Sequence, residues 1–573
     1  MGKISWIVVF IIITTIYINL FPQNSLLFSK KGQLFGAGNP VAEQKNESVQ
    51  RGMAGGNSIT NTLRHRSTTA TAPDTLLKHL LSNSIEFYRL LRNSRGVYSD
   101  KLEINRGPID VCSIASIGKG LVSLCIADSL GYINDAEDQV IETLEAMLGF
   151  DKVNGFDPAR NPNNGFFRHW IDMNNGTRAW NSEYSSIDTG ILVSGALFCK
   201  TYFSRNEEIG FLADSLYLSV DWESAIANPA TGALYMTFEE SGKGELVITP
   251  FNEYMIVAWL AKNDFRDSGR ALTSWNNSYG DIAGLPKKDY GDYTLLTDNP
   301  GSFVSSFVIQ FPYYLCFYFR KDQDYLYYLE QAMFADKQWW RDNTDAPDYI
   351  WGLGAGEVPG GGYHADRIND NPNKICSPHI IAGFIPVDTL CYNDLLQLWD
   401  HSLGIYELPK ASNSKILWRF RYNNPSQKAA YCQGVDYSTM VFGLASHPSL
   451  LGTAFFDDNT NFEFPQNYTS IESEKTIAVT PDKAALYQNY PNPFNPNTTI
   501  PFYLQNSGHA KLSVYNIKGQ LIKILVNGTF TPGMHQISWD GQDNKGNKCA
   551  GGIYIYRLET NNSFSYKKLL LLK

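Results

Sequence analysis

From Asp74 onward apolar residues recur at helical spacing, with Leu76, Leu77, Leu80, Leu81, Ile85, Tyr88 and Leu91 on one broad face, as in an amphipathic helix packed by one side. The same period predicts helices at 111–130, 134–148, 185–204, 207–220, 251–263, 301–320, 322–342, 387–401 and 434–445. At the second of these, Asn134 and Glu137 are spaced as a capping pair ahead of the stripe Val140, Leu144 and Met147, and Gly149 supplies the stop. Roughly ten helices joined by long aromatic loops, with few strand signals, predict a mainly α fold of the (α/α)6 toroid type rather than a short-looped bundle.

The pattern changes on both sides of this stretch. Lys3 followed by the apolar run Trp6 to Leu20 reads as a secretory signal peptide over 1–25, with an uncleaved anchor as the other reading. Residues 26–73, rich in Gly, Asn, Ser and Thr and without apolar period, are expected to be a linker. The helical domain is expected over 74–457 and a second linker over 458–484. From 485 to 573 the period drops to two, as in Ala510, Leu512, Val514 and in Ile553 to Tyr556, with turns between, which predicts a small all-β sandwich.

Composition narrows the partners. A net charge of −9 with no long basic run removes the electrostatic attraction on which nucleic-acid binding depends. The aromatic share of 13% supplies more rings than a core alone accounts for, and rings lie flat under sugar faces. Eight cysteines without a Cys-x-x-Cys pair argue against a zinc site. Export would permit disulfides, yet five of the eight fall in apolar helical patterns, so mostly free thiols are expected.

The densest polar cluster runs from Gly165 to Gly190 and sets Asp172, Glu183 and Asp188 beside Trp170, Trp180 and Tyr184. Cleavage of a glycosidic bond needs one protonated carboxyl to donate to the leaving oxygen and one ionised carboxylate to activate water or attack carbon. Glu183 precedes the helix, among aromatics whose burial would raise its pKa, and reads as the acid. Asp188 has two readings: a catalytic carboxylate, or the partner of Ser185 in a helix cap. Glu253, at the start of the apolar run Ile256, Val257, Trp259, Leu260, faces either a cleft or only the first turn of its helix. A glycine-rich loop from Trp351 to Asp366 carries Glu357, Tyr363, His364 and Asp366, with Asp370 beyond it. No zinc-binding, nucleophile-elbow or dinucleotide motif is present, so carboxylate chemistry without metal or cofactor is expected.

The stretch Phe167 to Thr189, with Asp172, Gly176, Arg178, Trp180 and Ser182-Glu-Tyr-Ser-Ser-Ile-Asp-Thr189, resembles the glucoamylase-like domain family. Ser113 to Gly118, Tyr217 to Trp222, Asn252 to Met255 and Trp351 to Leu353 follow in that family's order. The family includes glycoside hydrolase family 144, and the resemblance implies inverting endo-hydrolysis of β-1,2-glucan on an (α/α)6 barrel. It implies a cleft with Glu183, Asp188 and Glu253 as catalytic acids and with Asp172, Arg178, Trp180, Tyr184, Asn252, Tyr254, Trp351 and Tyr363 contacting sugar. The segment 373–386 departs from the family's pattern. Exo-action, glycosyl transfer on another β-glucan, or an inactive glycan-binding surface protein are the alternatives. Tyr487 to Pro496, Val514 to Gly519, Trp539 to Gly541 and Gly551 to Tyr554 resemble the type A sorting domain of the type IX secretion system. That resemblance implies export across both membranes and the secretion machinery as a partner. The other expected partner is a glucan; nucleic acid is not, and a monomer is expected.

Overall fold

The computed structural model describes residues 75–149, 155–409, 411, 413–465, 484–516, 521–560 and 564–572. The expected signal peptide and first linker lie outside the described residues, as does 466–483 of the second linker.

The helical domain contains α1 (Thr75–Leu91), α2 (Ile114–Ser129), α3 (Ala136–Met147), α4 (Ser186–Tyr202), α5 (Glu207–Leu218), α6 (Met255–Lys262), α7 (Arg270–Asn276), α8 (Phe307–Leu315), α9 (Phe317–Lys321), α10 (Gln323–Asn343), α11 (Pro378–Gly383), α12 (Cys391–Asp400), α13 (Gly434–Ala445) and α14 (Gly452–Thr460). Helices α2, α4, α6, α8, α11 and α13 touch one another in that order, and α13 returns to α2. The alternate helices back onto this series: α1 onto α13 and α2, α3 onto α2, α5 onto α4, α7 onto α6 and α12 onto α11. Helix α10 is tied to α8 by the Tyr325 hydroxyl, which donates to the Ile309 carbonyl at 2.7 Å.

Sequence explains this division. Every residue of α2 from Ile114 to Ala127 is buried, whereas α1 buries Leu77, Leu80, Leu81, Phe87 and Leu91 and exposes Lys78 and His79. A helix apolar all round belongs inside, and one with a stripe belongs on the flank. Helices α2 and α4 approach so closely that a Cβ on Gly118 would stand 2.2 Å from the Ile191 carbonyl oxygen, and one on Gly195 2.3 Å from that of Gly118. At one end of the series Phe456 of α14 packs against Phe198 of α4, Tyr314 of α8 and Phe442 of α13. Those rings lie toward the C-terminal ends of their helices, so the N-termini of the inner helices gather at the opposite end.

That opposite end is rimmed by short antiparallel ladders that lead into the helices. Val111–Ser113 pairs with Trp170–Asp172 ahead of α2, Tyr184–Ser185 with Ala233–Phe238 ahead of α4, and Tyr431–Gln433 with Lys101–Glu103 ahead of α13. These strands run for two to six residues, too short to show a period of two, and the expectation of few strands is corrected accordingly.

Other boundaries also move. Helix α3 begins with Asp135 at the N-cap rather than Asn134, no side-chain cap bond forms, and Glu137 lies in the first turn. The helix expected over 301–320 is two, because Cys316 takes extended backbone (φ −133°, ψ 117°) four residues after Pro312. Helix α6 starts at Met255, leaving Glu253 in the turn before it. Helix α14 carries the helical domain to Thr460, past the boundary at 457, and Arg320, buried, holds its Asp457 at 2.9 Å.

The C-terminal domain is two antiparallel sheets. One joins Ala485–Leu486, Thr498–Leu504 and Gly533–Trp539; the other joins Leu521–Phe530, Gly508–Asn516, Gly552–Thr560 and Phe564–Leu571. Phe494, Ile500, Phe502, Leu512, Val514, Trp539, Tyr556 and Leu569 form its core. All eight cysteines are free thiols, seven of them buried. No helix among the described residues is long and apolar enough to cross a membrane.

Candidate active site

Strand pairing at the rim creates the site. Ser113 stands opposite Trp170, the Ile114 amide donates to the His169 carbonyl at 3.1 Å, and the His169 amide donates to the Glu183 carbonyl at 2.9 Å. The run 167–172 is thereby stitched between the lead-ins of α2 and α4, and His169 falls between two carboxylates. Its Nδ1 lies 3.0 Å from Glu183 Oε1 and its Nε2 lies 3.6 Å from Asp188 Oδ1. The ring stacks on Trp170 with centroids 3.5 Å apart and planes 17° apart. Trp170 is held in turn by its indole N–H, which donates to Asp100 Oδ1 at 3.1 Å.

Asp188, in the first turn of α4, also accepts from the Ser185 hydroxyl at 2.6 Å, while Ser185 caps the helix by accepting from the Asp188 amide. Its two sequence readings are therefore compatible: one side chain closes the cap and faces His169.

Electrostatics separates the acids. Burial, with Asp298 and Asp188 adding repulsion, pushes Glu253 up to about 7. Burial also raises Asp188, against the pull of His169. Burial acts to raise Glu183 too, but the hydrogen bond and charge of His169 outweigh it and hold this carboxyl below its ordinary range. That contact favours an ionised Glu183, whereas its sequence position suggests a protonated acid. His169 itself is raised to about 9: burial opposes its charge, and Asp188, then Glu183, then Asp100 overcome burial.

A second group of acids lines the same rim. Asp436, buried in the first turn of α13, accepts from the Tyr363 hydroxyl at 3.2 Å and is pushed up to about 7 by burial, against Arg419 and the Tyr363 bond. Asp100 links the groups, since its charge acts on both His169 and Asp436. Glu357 is buried and raised by desolvation, and its Oε1 accepts from the Gly362 amide at 3.1 Å. Lys101 places its Nζ 5.6 Å from the Trp180 ring centroid and 4.6 Å from that of Tyr431.

The expected sugar-contacting residues divide. Trp180 is 47% exposed, in left-handed backbone (φ 48°), with its edge on Trp170 at 5.2 Å. Tyr363 reaches the rim through Asp436. Tyr254, just after Glu253, is buried and feels the charges of Glu253, Asp188 and Glu183. Asn252 is a turn residue whose Oδ1 accepts from the Tyr254 amide at 2.8 Å. Asp172 closes a turn by accepting from the amides of Asn174 and Asn175, and Arg178 is exposed beyond it. Tyr184 is buried under Arg168, and its hydroxyl donates to Glu240 at 2.8 Å. Trp351 leaves the set altogether: it is fully buried, and its indole N–H donates to Asp394 of α12 at 2.8 Å. Asp366 is likewise structural, paired with the fully buried Arg419 and with His364 at 2.8 Å.

Sequence reasoning missed His169, Asp100 and Asp436 as site residues. One signal was available for Asp436: it is the third residue of α13, as Asp188 is of α4. Among the described residues no group of three His, Cys, Asp or Glu is placed to hold a metal ion.

Comparison with known proteins concerns the two domains separately. The FlgD Ig-like domain family matches residues 497–563. A sequence search of curated proteins finds no match. Among solved structures, an endo-β-1,2-glucanase from Chitinophaga pinensis, in complex with sophorotriose and glucose, is similar at a TM-score of 0.55 and 15% identity, over 68% of this chain and 95% of that one. A Bacteroides uniformis protein described as a glucoamylase is similar at 0.56 and 14% identity, over 69% and 95%. A β-1,2-glucanase from Parabacteroides distasonis is similar at 0.54 and 15% identity, over 67% of this chain and 58% of that one. At such identities the likeness establishes a fold: the helical domain is similar in fold to glucoamylase-like proteins and β-1,2-glucanases, and an Ig-like domain follows it.

Proposed function

We propose that the helical domain is an (α/α)6 toroid that hydrolyses a β-linked glucan, β-1,2-glucan first among them, by endo-cleavage with inversion. The observation that carries this reading is the pairing of unlike acids at one rim. Glu253 keeps its proton to about pH 7, and Glu183 is held ionised beside it in the chain of charges through Asp188. Glycoside hydrolysis requires such a division.

In this reading the glucan lies across the rim with a ring on Trp180. Glu253 donates its proton to the glycosidic oxygen as the bond to the anomeric carbon breaks. A water oxygen bonds that carbon from the opposite face and gives its proton, directly or through a sugar hydroxyl, to an ionised carboxylate. Glu183, held below its ordinary range, is the group proposed to accept it, and Glu183→Gln tests that role. The altered 373–386 segment is what favours an inactive glycan-binding protein. Its residues Ile375 to Ala382 are buried in and ahead of α11, and the rim acids are in place regardless.

The C-terminal domain is proposed as a type IX sorting signal, its support being the Ig-like family match and the sequence strings described above. The chain would then be secreted or held at the cell surface. Reducing-sugar release from linear β-1,2-glucan tests the enzymatic reading: the chain releases sugar and its Glu253→Gln variant does not. Equal release from both would reject Glu253 as donor, and none from either would reject the substrate.

A further inference from the structure

His169 occupies a place that neither the acid nor the base of a glycosidase requires. A neutral imidazole carries one N–H, yet both ring nitrogens of His169 face a carboxylate oxygen, at 3.0 Å and 3.6 Å. Nδ1 is within hydrogen-bond reach of Glu183 and Nε2 within ion-pair reach of Asp188, so the doubly protonated ring is the form that suits both carboxylates. Among the described residues these are also the ion pairs that Glu183 and Asp188 make; the neighbouring Arg168 spends its guanidinium on Glu240 and the Ser182 carbonyl.

The ring has little freedom to turn away. Trp170 covers one face at 3.5 Å, Trp170 is pinned by Asp100, and Trp180 abuts Trp170 from the solvent side. Backbone bonds on both sides of His169 tie it to the lead-ins of α2 and α4. The charges acting on it are those of Asp188 of α4, Glu183 and Asp100, all acidic, while Arg168 also acts on Glu183 and Lys101 on Asp100.

We infer that His169 is a positioning residue: its imidazolium, roofed by Trp170, clamps Glu183 and Asp188 as a pair of ionised carboxylates and fixes Glu183 at the rim. This rests on the proposed hydrolytic reading for its consequence, though not for its geometry. In water-poor surroundings two adjacent carboxylates without a shared cation drive one another to protonate. Removing the ring takes away the largest opposition to burial and leaves a backbone bond and the charge of Arg168, so Glu183 rises and the carboxylate that accepts the proton is lost from the acid side of the pH profile upward.

The test uses the full chain with His169→Gln and His169→Asn, read in two ways. Imidazole NMR without substrate, the His169 signal assigned by its loss in the variants, is expected to show titration near 9, falling by at least about one unit in Glu183→Gln. Steady-state kinetics on β-1,2-glucan are expected to show kcat down about a hundredfold with KM within about threefold, and the acid limb of the profile moved to higher pH. A wild-type ring titrating at its ordinary value would overturn the clamp. So would variants that melt with the wild type and keep both kcat and the acid limb. Should the chain cleave no glucan, the NMR arm still decides the clamp while the hydrolytic reading falls.

Discussion

His169 Nδ1 lies 3.0 Å from Glu183 Oε1, and that contact favours the ionised form of a carboxyl whose sequence position suggests a protonated acid. A glutamate among aromatics reads as a protonated acid; one paired with an imidazolium is ionised. On the proposed reading the proton donor is Glu253, raised by burial and by the charges of Asp298 and Asp188.

The first consequence is a pH profile. Glu253 must be protonated and its raised pKa lies at about 7, so kcat/KM falls tenfold per pH unit above that value. Glu183 must be ionised and its pKa lies below the ordinary carboxylate value, so the acid limb lies below that value too. Rates measured from pH 3 to 10 are expected to form a plateau between these limits. A rate still rising at pH 9 would contradict the assignment.

Glu253→Gln removes the proton and keeps the shape. Turnover is expected to drop by about a hundredfold to ten-thousandfold. The melting temperature is expected to hold or rise, because the substitution also removes an acid that burial disfavours.

Trp180→Ala separates binding from chemistry. The ring is exposed, set edgewise to Trp170 with Lys101 over it, so the fold should tolerate its loss. KM for glucan is expected to rise about tenfold, the equivalent of ~1.4 kcal/mol, with kcat nearly unchanged. A kcat loss at constant KM would place Trp180 in the chemistry instead.

Gly118→Ala tests the closeness of α2 and α4. The new methyl would meet the Ile191 carbonyl well inside contact distance, so the helices must separate. A loss of about 3 kcal/mol or more is expected, read as a lower denaturation midpoint. An unchanged midpoint would mean that the helices pack less closely than described.

Lys119→Met concerns a fully buried amine above the Phe311 ring at 3.5 Å, with no hydrogen-bond partner among the described residues. Burial lowers its pKa well below the ordinary value, so the unfolded chain binds the proton that the folded one sheds. Wild-type stability from this residue therefore rises with pH toward the unfolded pKa and is poorest on the acid side. The variant is expected to be more stable near neutral pH, with the gain shrinking as pH approaches about 10. A gain that is absent or grows with pH would contradict this.

The helical frame was legible where periodicity had room to act. Helices α2 and α4 are apolar on every face, and α1 has a clear stripe. Helices α7, α11 and α14 were missed because seven, six and nine residues give too few turns for a stripe. Of the candidate site, Glu183, Asp188 and Glu253 stand out in the sequence as acids beside apolar runs. His169 could not, since its partners are set by the pairing of Ser113 with Trp170, a contact across the chain. Trp351 failed for the converse reason: a tryptophan beside a glycine-rich loop looks exposed until packing turns it toward Asp394.

The most direct test of the central claim is proton NMR of the first minutes of a digest of linear β-1,2-glucan by the full chain. The account predicts new reducing ends that appear first as the α-anomer and then equilibrate, the mark of water attacking opposite the bond that Glu253 protonates. Reducing ends that appear first as the β-anomer, or no cleavage at all, would contradict it.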